Sequence, residues 1–348
     1  MTLWVPGGAS RTTTSPGSSL EEETAVSTSK TSPGFSHGAM LHPIISKGTR
    51  LRAFTVAALP SPWQGMRVPE RMPIVVQLFL AVSRLLSIVN RLFDLIRNEF
   101  LWAVVPTSHK YKVNMLIHSR EKDYLPGGHW FNVGLFEWER KAVTFPPFPG
   151  KGRLLLGAAG GGREIKGLSE LGYEVYAFEP CEELYRGALS VLSQYPSSKI
   201  VQLSYAGFVE TVRERKNPFS NDNGSFDAIV LGWGSFSHLL DPKERESLLR
   251  SLHERAPLAP VLLSFIVPEL RPPPSRIARL RPFFQRFLRA IGCTNLAKPG
   301  DVFLPGSGFL HLPTPEEIKE VAARTGYSVH HGDLAPYPHA VLVPHFPR

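Results

Sequence analysis

Six small residues in a row, Gly157, Ala158, Ala159, Gly160, Gly161 and Gly162, follow three leucines and precede a helix-like pattern that opens at Arg163. Backbone this bare lets a ligand approach the main chain closely, and glycine tolerates the positive φ of a tight turn. In an α/β sheet, the carboxyl end of the first strand is where nucleotides and nucleosides bind. A second residue fits the same chemistry. Glu179 lies 22 residues after Gly157 and 17 after Gly162, where a carboxylate closing the second strand accepts hydrogen bonds from ribose hydroxyls. Together they point to a ligand containing a nucleoside. The dinucleotide pattern G-x-G-x-x-G fails at Ala159, where a pyrophosphate needs its closest approach, so a ligand without phosphates fits better.

The elements needed to hold these residues are legible around them. Apolar runs at 153–157, 174–179, 199–203, 226–232 and 260–267 read as strands, with helical patterns at 163–171, 181–193, 206–215 and 242–255 between them. Continuous apolar strands separated by helices are what a parallel sheet covered on both faces requires, so the fold class is α/β. Asp241, Pro242 and Glu244 mark one helix start, and Thr314, Pro315 and Glu317 another, each as a capping box with proline at the first helical position. Asn223-Gly224 reads as a turn before the fourth strand. Two short runs near the end of the chain, "YSVHH" and "HAVLVPH", read as strands that close the sheet.

The 348 residues are 43% apolar, enough for a substantial core, and carry a formal charge of +9. That charge favours an anionic partner without choosing among nucleic acid, lipid and an acidic small molecule. Two cysteines, Cys181 and Cys293, are too few for a disulfide framework and lack zinc-site spacing; the expected setting is reducing and cytoplasmic. Residues 1–69 are rich in Ser, Thr, Pro and Gly and read as a disordered, low-complexity segment, with Met66 or Met72 as alternative starts. Residues 70–145 form a helical and lid segment, and 146–348 the ligand-binding domain. Within 72–105, Gln77, Arg84, Arg91 and Asn98 recur every seven positions on one helical stripe. The longest window without a charge, Met72 to Ser83, is shorter than the roughly twenty residues of a bilayer span. The expectation is therefore a helix packed on the domain or on a second copy of the chain, with a membrane surface as the alternative. The basic, Phe-containing stretch 271–292, with Arg271, Arg276, Arg279 and Arg281, reads as an amphipathic helix with a solvated basic face, or as a contact for an anionic acceptor or membrane.

The glycine-rich turn with its downstream acid resembles the first motif of the class I S-adenosylmethionine-dependent methyltransferases. Gly157, Ala159 and Gly161 occupy the three positions of that family's G-x-G-x-G loop, one glycine being replaced by alanine. The resemblance extends through "GSFDAIVLGWGSFSHLLDPKERESLLRSLHERAPLAPVLLSF" and "GFLHLPTPEEIKEVAARTGYSV" and covers roughly residues 130–345. It implies a Rossmann-like, mostly parallel seven-stranded sheet with an antiparallel last strand, preceded by N-terminal helices. It also implies S-adenosylmethionine as cofactor and methyl transfer to a small-molecule acceptor. By the same resemblance, the segment from Gly157 through Ala158, Ala159, Gly160 and Gly161 would lie along the methionine and ribose, Glu179 would hold the ribose hydroxyls, and Phe178 and Pro180 would pack near the adenine, with an ordinary core role as the alternative for Phe178. Arg163 would pair with the methionine carboxylate or stand as a solvated surface arginine. Trp233 and Phe236 would wall the acceptor site, Ser235 would orient the acceptor and His238 would serve as base. The segment 128–139, with His129, Trp130 and Trp138, reads as a lid that excludes water or as ordinary aromatic packing.

Several chemistries are not supported. No Asn-Pro-Pro-aromatic sequence follows the fourth strand, no Pro-Cys pair occurs there, and Asp241 is the only acid close to it. These omissions speak against amino methylation of nucleic acids, cysteine attack on a cytosine ring and metal-dependent catechol methylation. The acid that often follows the third strand in the family is missing from Ser204-Tyr205-Ala206. Two other readings remain: a Rossmann oxidoreductase using NAD(P), since Gly157, Gly160 and Gly162 fit a looser glycine pattern, and a nonenzymatic nucleoside-binding or membrane-associated protein.

Overall fold

The protein was described from a computed structural model covering residues 73–219, 224–266, 279–333 and 337–345. The segment 1–69 expected to be disordered, Arg271, Arg276 and Asn223 lie outside the described residues. Among the described residues, four helices precede the sheet: α1 (Ile74–Val104), α2 (Thr107–His118), α3 (His129–Val133) and α4 (Glu137–Thr144). Then β1 (Gly152–Gly157), α5 (Arg163–Glu170), β2 (Tyr173–Glu179), α6 (Glu182–Leu192), β3 (Lys199–Gln202) and α7 (Tyr205–Arg213) alternate. They are followed by β4 (Ala228–Leu231), α8 (Pro242–Arg255), β5 (Val261–Ser264) and α9 (Arg281–Ala290). A hairpin of β6 (Asp301–Leu304) and β7 (Gly308–His311), α10 (Pro315–Arg324), β8 (Tyr327–Asp333) and β9 (His339–Pro344) complete the chain.

Seven strands form one sheet in the order β3-β2-β1-β4-β5-β9-β8, parallel except for β9, which runs against both its neighbours. This is the Rossmann-like sheet with an antiparallel last strand that the sequence leads one to expect. Alternation along each strand feeds two cores. Leu155, Phe178, Ile229, Leu231 and Leu263 face one side, under α7, α8 and α10; Leu154, Leu156, Val175, Ala177 and Val230 face the other, under α4, α5 and α6. Strands buried on both faces need apolar residues at successive positions, which is why the runs read continuously. The capping boxes at Asp241 and Thr314 are formed, with Lys243 N–H donating to Asp241 and Glu317 N–H to Thr314 Oγ1.

The hairpin β6–β7 was not foreseen from the sequence. It forms a separate two-stranded sheet, and two asparagines supply the partners its outer edges would otherwise lack. Asn98 of α1 accepts from Phe303 N–H at 2.7 Å, and Asn114 of α2 brackets the backbone of Phe309.

Helix α1 corrects an expectation. It is a single helix of 31 residues, but only its last two turns pack on the domain, where Glu99, Trp102 and Ala103 are buried. Glu99 meets Arg281 at 2.8 Å and accepts from Gln285 of α9 at 2.8 Å. From Ile74, 83% exposed, to Val89 the apolar side chains are exposed on every side. Apolar residues cover most of the surface there, beside the polar stripe of Gln77, Arg84 and Arg91, and among the described residues nothing in the domain covers them. The described part of the basic segment contains the expected helix, α9, with Arg286 and Arg289 exposed; Arg281 is instead engaged by Glu99 and by the carbonyls of Ala297 and Lys298, and Phe283 and Phe287 are 70% and 56% exposed.

Candidate active site

The carboxyl ends of β1, β2 and β4 open onto a cavity with about 830 Å³ of free space, solvent included. Its floor is the glycine-rich turn, where each small residue has a separate geometric reason. Gly160 has φ +55° and open space where a Cβ would project, so it is the bare backbone facing the cavity. A Cβ on Gly157 would lie 2.9 Å from the rings of Phe178 and Tyr205, and one on Gly162, at φ +97°, would press on Ala188 of α6. These two serve packing. Gly161 is kept bare by the chain itself, since its Cβ would meet the Tyr124 carbonyl oxygen at 2.1 Å. Ala158 lines the cavity at φ +56°, whereas Ala159 is fully buried in the core beneath the turn. The alanine that breaks the dinucleotide pattern therefore projects away from the cavity.

Glu179 closes β2 beside this turn and is 4% exposed. Its Oε2 accepts from Gly160 N–H and its Oε1 from Cys181 N–H, both at 2.9 Å. Burial pushes its carboxyl up to about 7, against the opposing effect of those two N–H donors. Pro180 lines the cavity next to it. Phe178 does not reach the cavity: it is buried in the core, stacked on Phe208 with centroids 5.2 Å apart.

Arg163, the first residue of α5, is held away from the carboxylate role expected of it. Its guanidinium donates to both oxygens of Glu139 at 2.7 Å, to Glu164 at 2.6 Å and to the Gly134 carbonyl at 2.7 Å. All three side chains are nearly inaccessible. This buried fork ties α4 and its preceding loop to the start of α5, and Glu164 also accepts from Trp233 N–H at 3.3 Å. Among the described residues, Arg163 is the only Lys or Arg on the cavity lining.

The roof comes from the segment before the sheet. Tyr124 and Phe131 line the cavity, and the 122–128 stretch lies against Gly161 and Gly187. Trp233 sits in an aromatic cluster with Trp130 at 5.3 Å and Phe136 at 4.8 Å between centroids. The covering thus begins several residues earlier than the 128–139 segment singled out in the sequence.

The far end of the cavity carries Ser235 and His238, as expected, but joined to residues the sequence reading missed. Ser235 Oγ lies 2.6 Å from Tyr205 Oη. His238 Nε2 lies 3.4 Å from His118 Nε2, and its Nδ1 lies 3.1 Å from Asn114 Nδ2. Burial pulls His118 down from the ordinary imidazole value, and burial together with the neighbouring His118 pulls His238 down to about 3. Phe236, expected as a wall, is wholly buried in the core. Tyr111, Met115 and His118 follow one another at i, i+4 and i+7 on α2, a one-face spacing that was available in the sequence.

No protein-family model and no curated protein matches this chain. Solved structures do. The sugar N-methyltransferase KedS8 from Streptoalloteichus is 16% identical, with a TM-score of 0.42 over 60% of this chain and 86% of that one. The glycopeptide N-methyltransferase MtfA is 17% identical, with a TM-score of 0.41 over 63% and 99% of the two chains. An S-adenosylmethionine-dependent methyltransferase from Clostridium acetobutylicum is 9% identical, with a TM-score of 0.40 over 65% and 92%.

Proposed function

We propose that this protein is an S-adenosylmethionine-dependent methyltransferase acting on a small-molecule acceptor. The observation that carries the reading is one cavity in which the open backbone at Gly160 faces the buried carboxylate of Glu179. Glu179 would hold the ribose hydroxyls, with Ala158, Gly160, Gly161 and Pro180 along the rest of the cofactor, which supplies an activated methyl group. The chain's own work is then to bind, align and exclude water. Tyr124, Phe131 and Trp233 cover the site, and Ser235, Tyr205 and the two histidines face the acceptor. Arg163 acts through structure, by fixing the roof to the floor.

Calorimetric titration of the full chain with S-adenosylmethionine, S-adenosylhomocysteine and NADH tests the reading, with a Glu179→Ala variant alongside. Binding of the two adenosyl ligands, weakened in the variant, is the expected result. Binding of NADH alone would support the oxidoreductase reading and overturn this one.

The partner assigned to α1 is a lipid bilayer. Its exposed apolar window is long and apolar enough to cross a membrane by length and composition, and 31 residues rise about 46 Å. Arg84 and Arg91 on α1, with Arg286 and Arg289 beside the exposed phenylalanines of α9, suit anionic headgroups. Flotation with vesicles of phosphatidylcholine and phosphatidylglycerol should carry the protein upward, and Leu78→Asp with Leu85→Asp should abolish this. Protein that stays below the vesicles and sediments as a dimer would refute the assignment.

A further inference from the structure

We infer that the methyl acceptor is a hydroxyl oxygen gripped between two facing imidazoles, His118 and His238, set by Asn114; this rests on the methyltransferase reading above. The side chain of Asn114 fixes the arrangement. Its Oδ1 accepts from Phe309 N–H at 2.7 Å and its Nδ2 donates to the Phe309 carbonyl at 2.8 Å. That two-point contact allows only one orientation of the amide, because the flipped amide would face donor to donor and acceptor to acceptor. The second Nδ2 hydrogen therefore points to His238 Nδ1, 3.1 Å away. With that bond made, His238 Nδ1 presents a lone pair and the ring proton sits on Nε2; the competing arrangement is a ring N–H donated to the Phe309 backbone carbonyl.

His238 Nε2–H in turn faces His118 Nε2 at 3.4 Å, with the rings nearly perpendicular at 77°. The contact is longer than an ordinary N–H hydrogen bond, and a guest can replace it. One donor and one lone pair then converge on a single place in the cavity. A hydroxyl uses both: its oxygen accepts from His238, its proton goes to His118, and a second lone pair remains for attack. A neutral amine would spend its only lone pair on His238. An ammonium would need a carboxylate, and both nearby ones are engaged, Glu164 by Arg163 and Glu179 by the Gly160 and Cys181 N–H groups and by the ribose hydroxyls it would hold. Met115, Tyr124, Phe131 and Trp233 on the lining suit an apolar or aromatic body. The acceptor class is an apolar alcohol or a phenol.

The step balances. The O–CH₃ bond forms as the S–CH₃ bond breaks, leaving a neutral thioether. The hydroxyl proton moves to His118 Nε2, so the sulfonium charge reappears on an imidazolium. Burial lowers the proton affinity of both rings, so His118 is neutral at the start and releases the proton to solvent afterwards.

The test begins with S-adenosylhomocysteine binding to the full chain; failure there removes the methyltransferase reading itself. With binding established, deuteriomethyl S-adenosylmethionine is offered with 4-propylphenol, 3-phenylpropanol and 3-phenylpropylamine, and products are weighed by mass spectrometry. Methylation of a hydroxyl probe and not the amine is expected, falling at least about 100-fold in His118→Ala and His238→Ala with the same affinity for S-adenosylhomocysteine, as for loss of a general base. Preferred methylation of the amine, or undiminished transfer in either variant, would overturn the proposal. Should no probe be methylated, ¹⁵N-histidine spectra of the S-adenosylhomocysteine complex decide. His238 protonated on Nε2, switching to Nδ1 in Asn114→Asp, supports it; His238 already protonated on Nδ1, or either ring charged at pH 7, refutes it.

Discussion

The floor and the far end of the cavity are built by opposite means. The floor consists of two successive strand–helix turns, in which Gly160 and Glu179 are 19 residues apart and meet through backbone hydrogen bonds. The far end is made of side chains brought together across the chain: His118 and His238 are separated by 120 residues, and Asn114 and Phe309 by 195. A site of backbone and adjacent turns tolerates only residues that keep the backbone path. A site of converging side chains depends on the packing of α2, the loop after β4 and the β6–β7 hairpin. Floor and roof are joined by ion pairs at the Arg163 fork and by close backbone packing of Tyr124 on Gly161.

Breaking the fork should have the largest effect. Glu139→Ala removes two charge-assisted hydrogen bonds from Arg163 in a dry site and leaves Glu164 as its ionic partner, a loss of about 3 kcal/mol or more at 1.5–3 kcal/mol per bond to a charged group; urea unfolding should show it. If the loss were below about 1 kcal/mol, the range of an exposed pair, roof and floor would not be coupled there. Next comes Glu179→Ala, which should weaken S-adenosylhomocysteine binding by roughly 10- to 100-fold, from the 1.5–3 kcal/mol of hydrogen bonds to a charged group. Its effect on the unfolding midpoint should be smaller than that of Glu139→Ala, which separates a ligand contact from a structural one.

Gly161→Ala places a Cβ against the Tyr124 carbonyl, and overpacking of this kind costs about 1–3 kcal/mol. Gly172→Ala is the control, with positive φ and open space around it; hydrogen exchange at 122–128 should accelerate in the first and not in the second. The smallest effect is that of pH. Because burial holds the Glu179 carboxyl near 7, and the ionised form accepts ribose hydroxyls, affinity for S-adenosylhomocysteine should fall as pH drops from 8 to 6, by up to about tenfold. Glu179→Gln should show no such slope in calorimetry.

Helix α5 and helix α1 show where pattern reading succeeds and where it stops. The start of α5 follows from a glycine-rich turn and a strand, both local, and the turn's alanine at 159 lies in the core as its neighbours dictate. For α1 the helical period was legible, but what the helix packs against was not, since packing is a property of surfaces and not of one segment. Phe236 and Phe178 show the same limit: an aromatic beside a site reads alike whether it faces the cavity or the core. Asn114 and His118 lie four apart on one face of α2, a spacing that could have marked a functional face. Their partners, however, lie on β7 and after β4.

By itself the sequence determined the alternation of strands and helices from β1 to β5, both capping boxes, the bare turn and the acid that closes β2, because each depends on neighbours within one or two elements. Tertiary structure alone decided that Arg163 is an internal staple, that Gly161 is bare to admit the roof, and that His118, His238 and Asn114 meet. Those outcomes depend on chain closure between separate elements, over 24 residues for Arg163 and Glu139 and over 120 for His118 and His238, where no periodicity or spacing encodes which side chains will face each other.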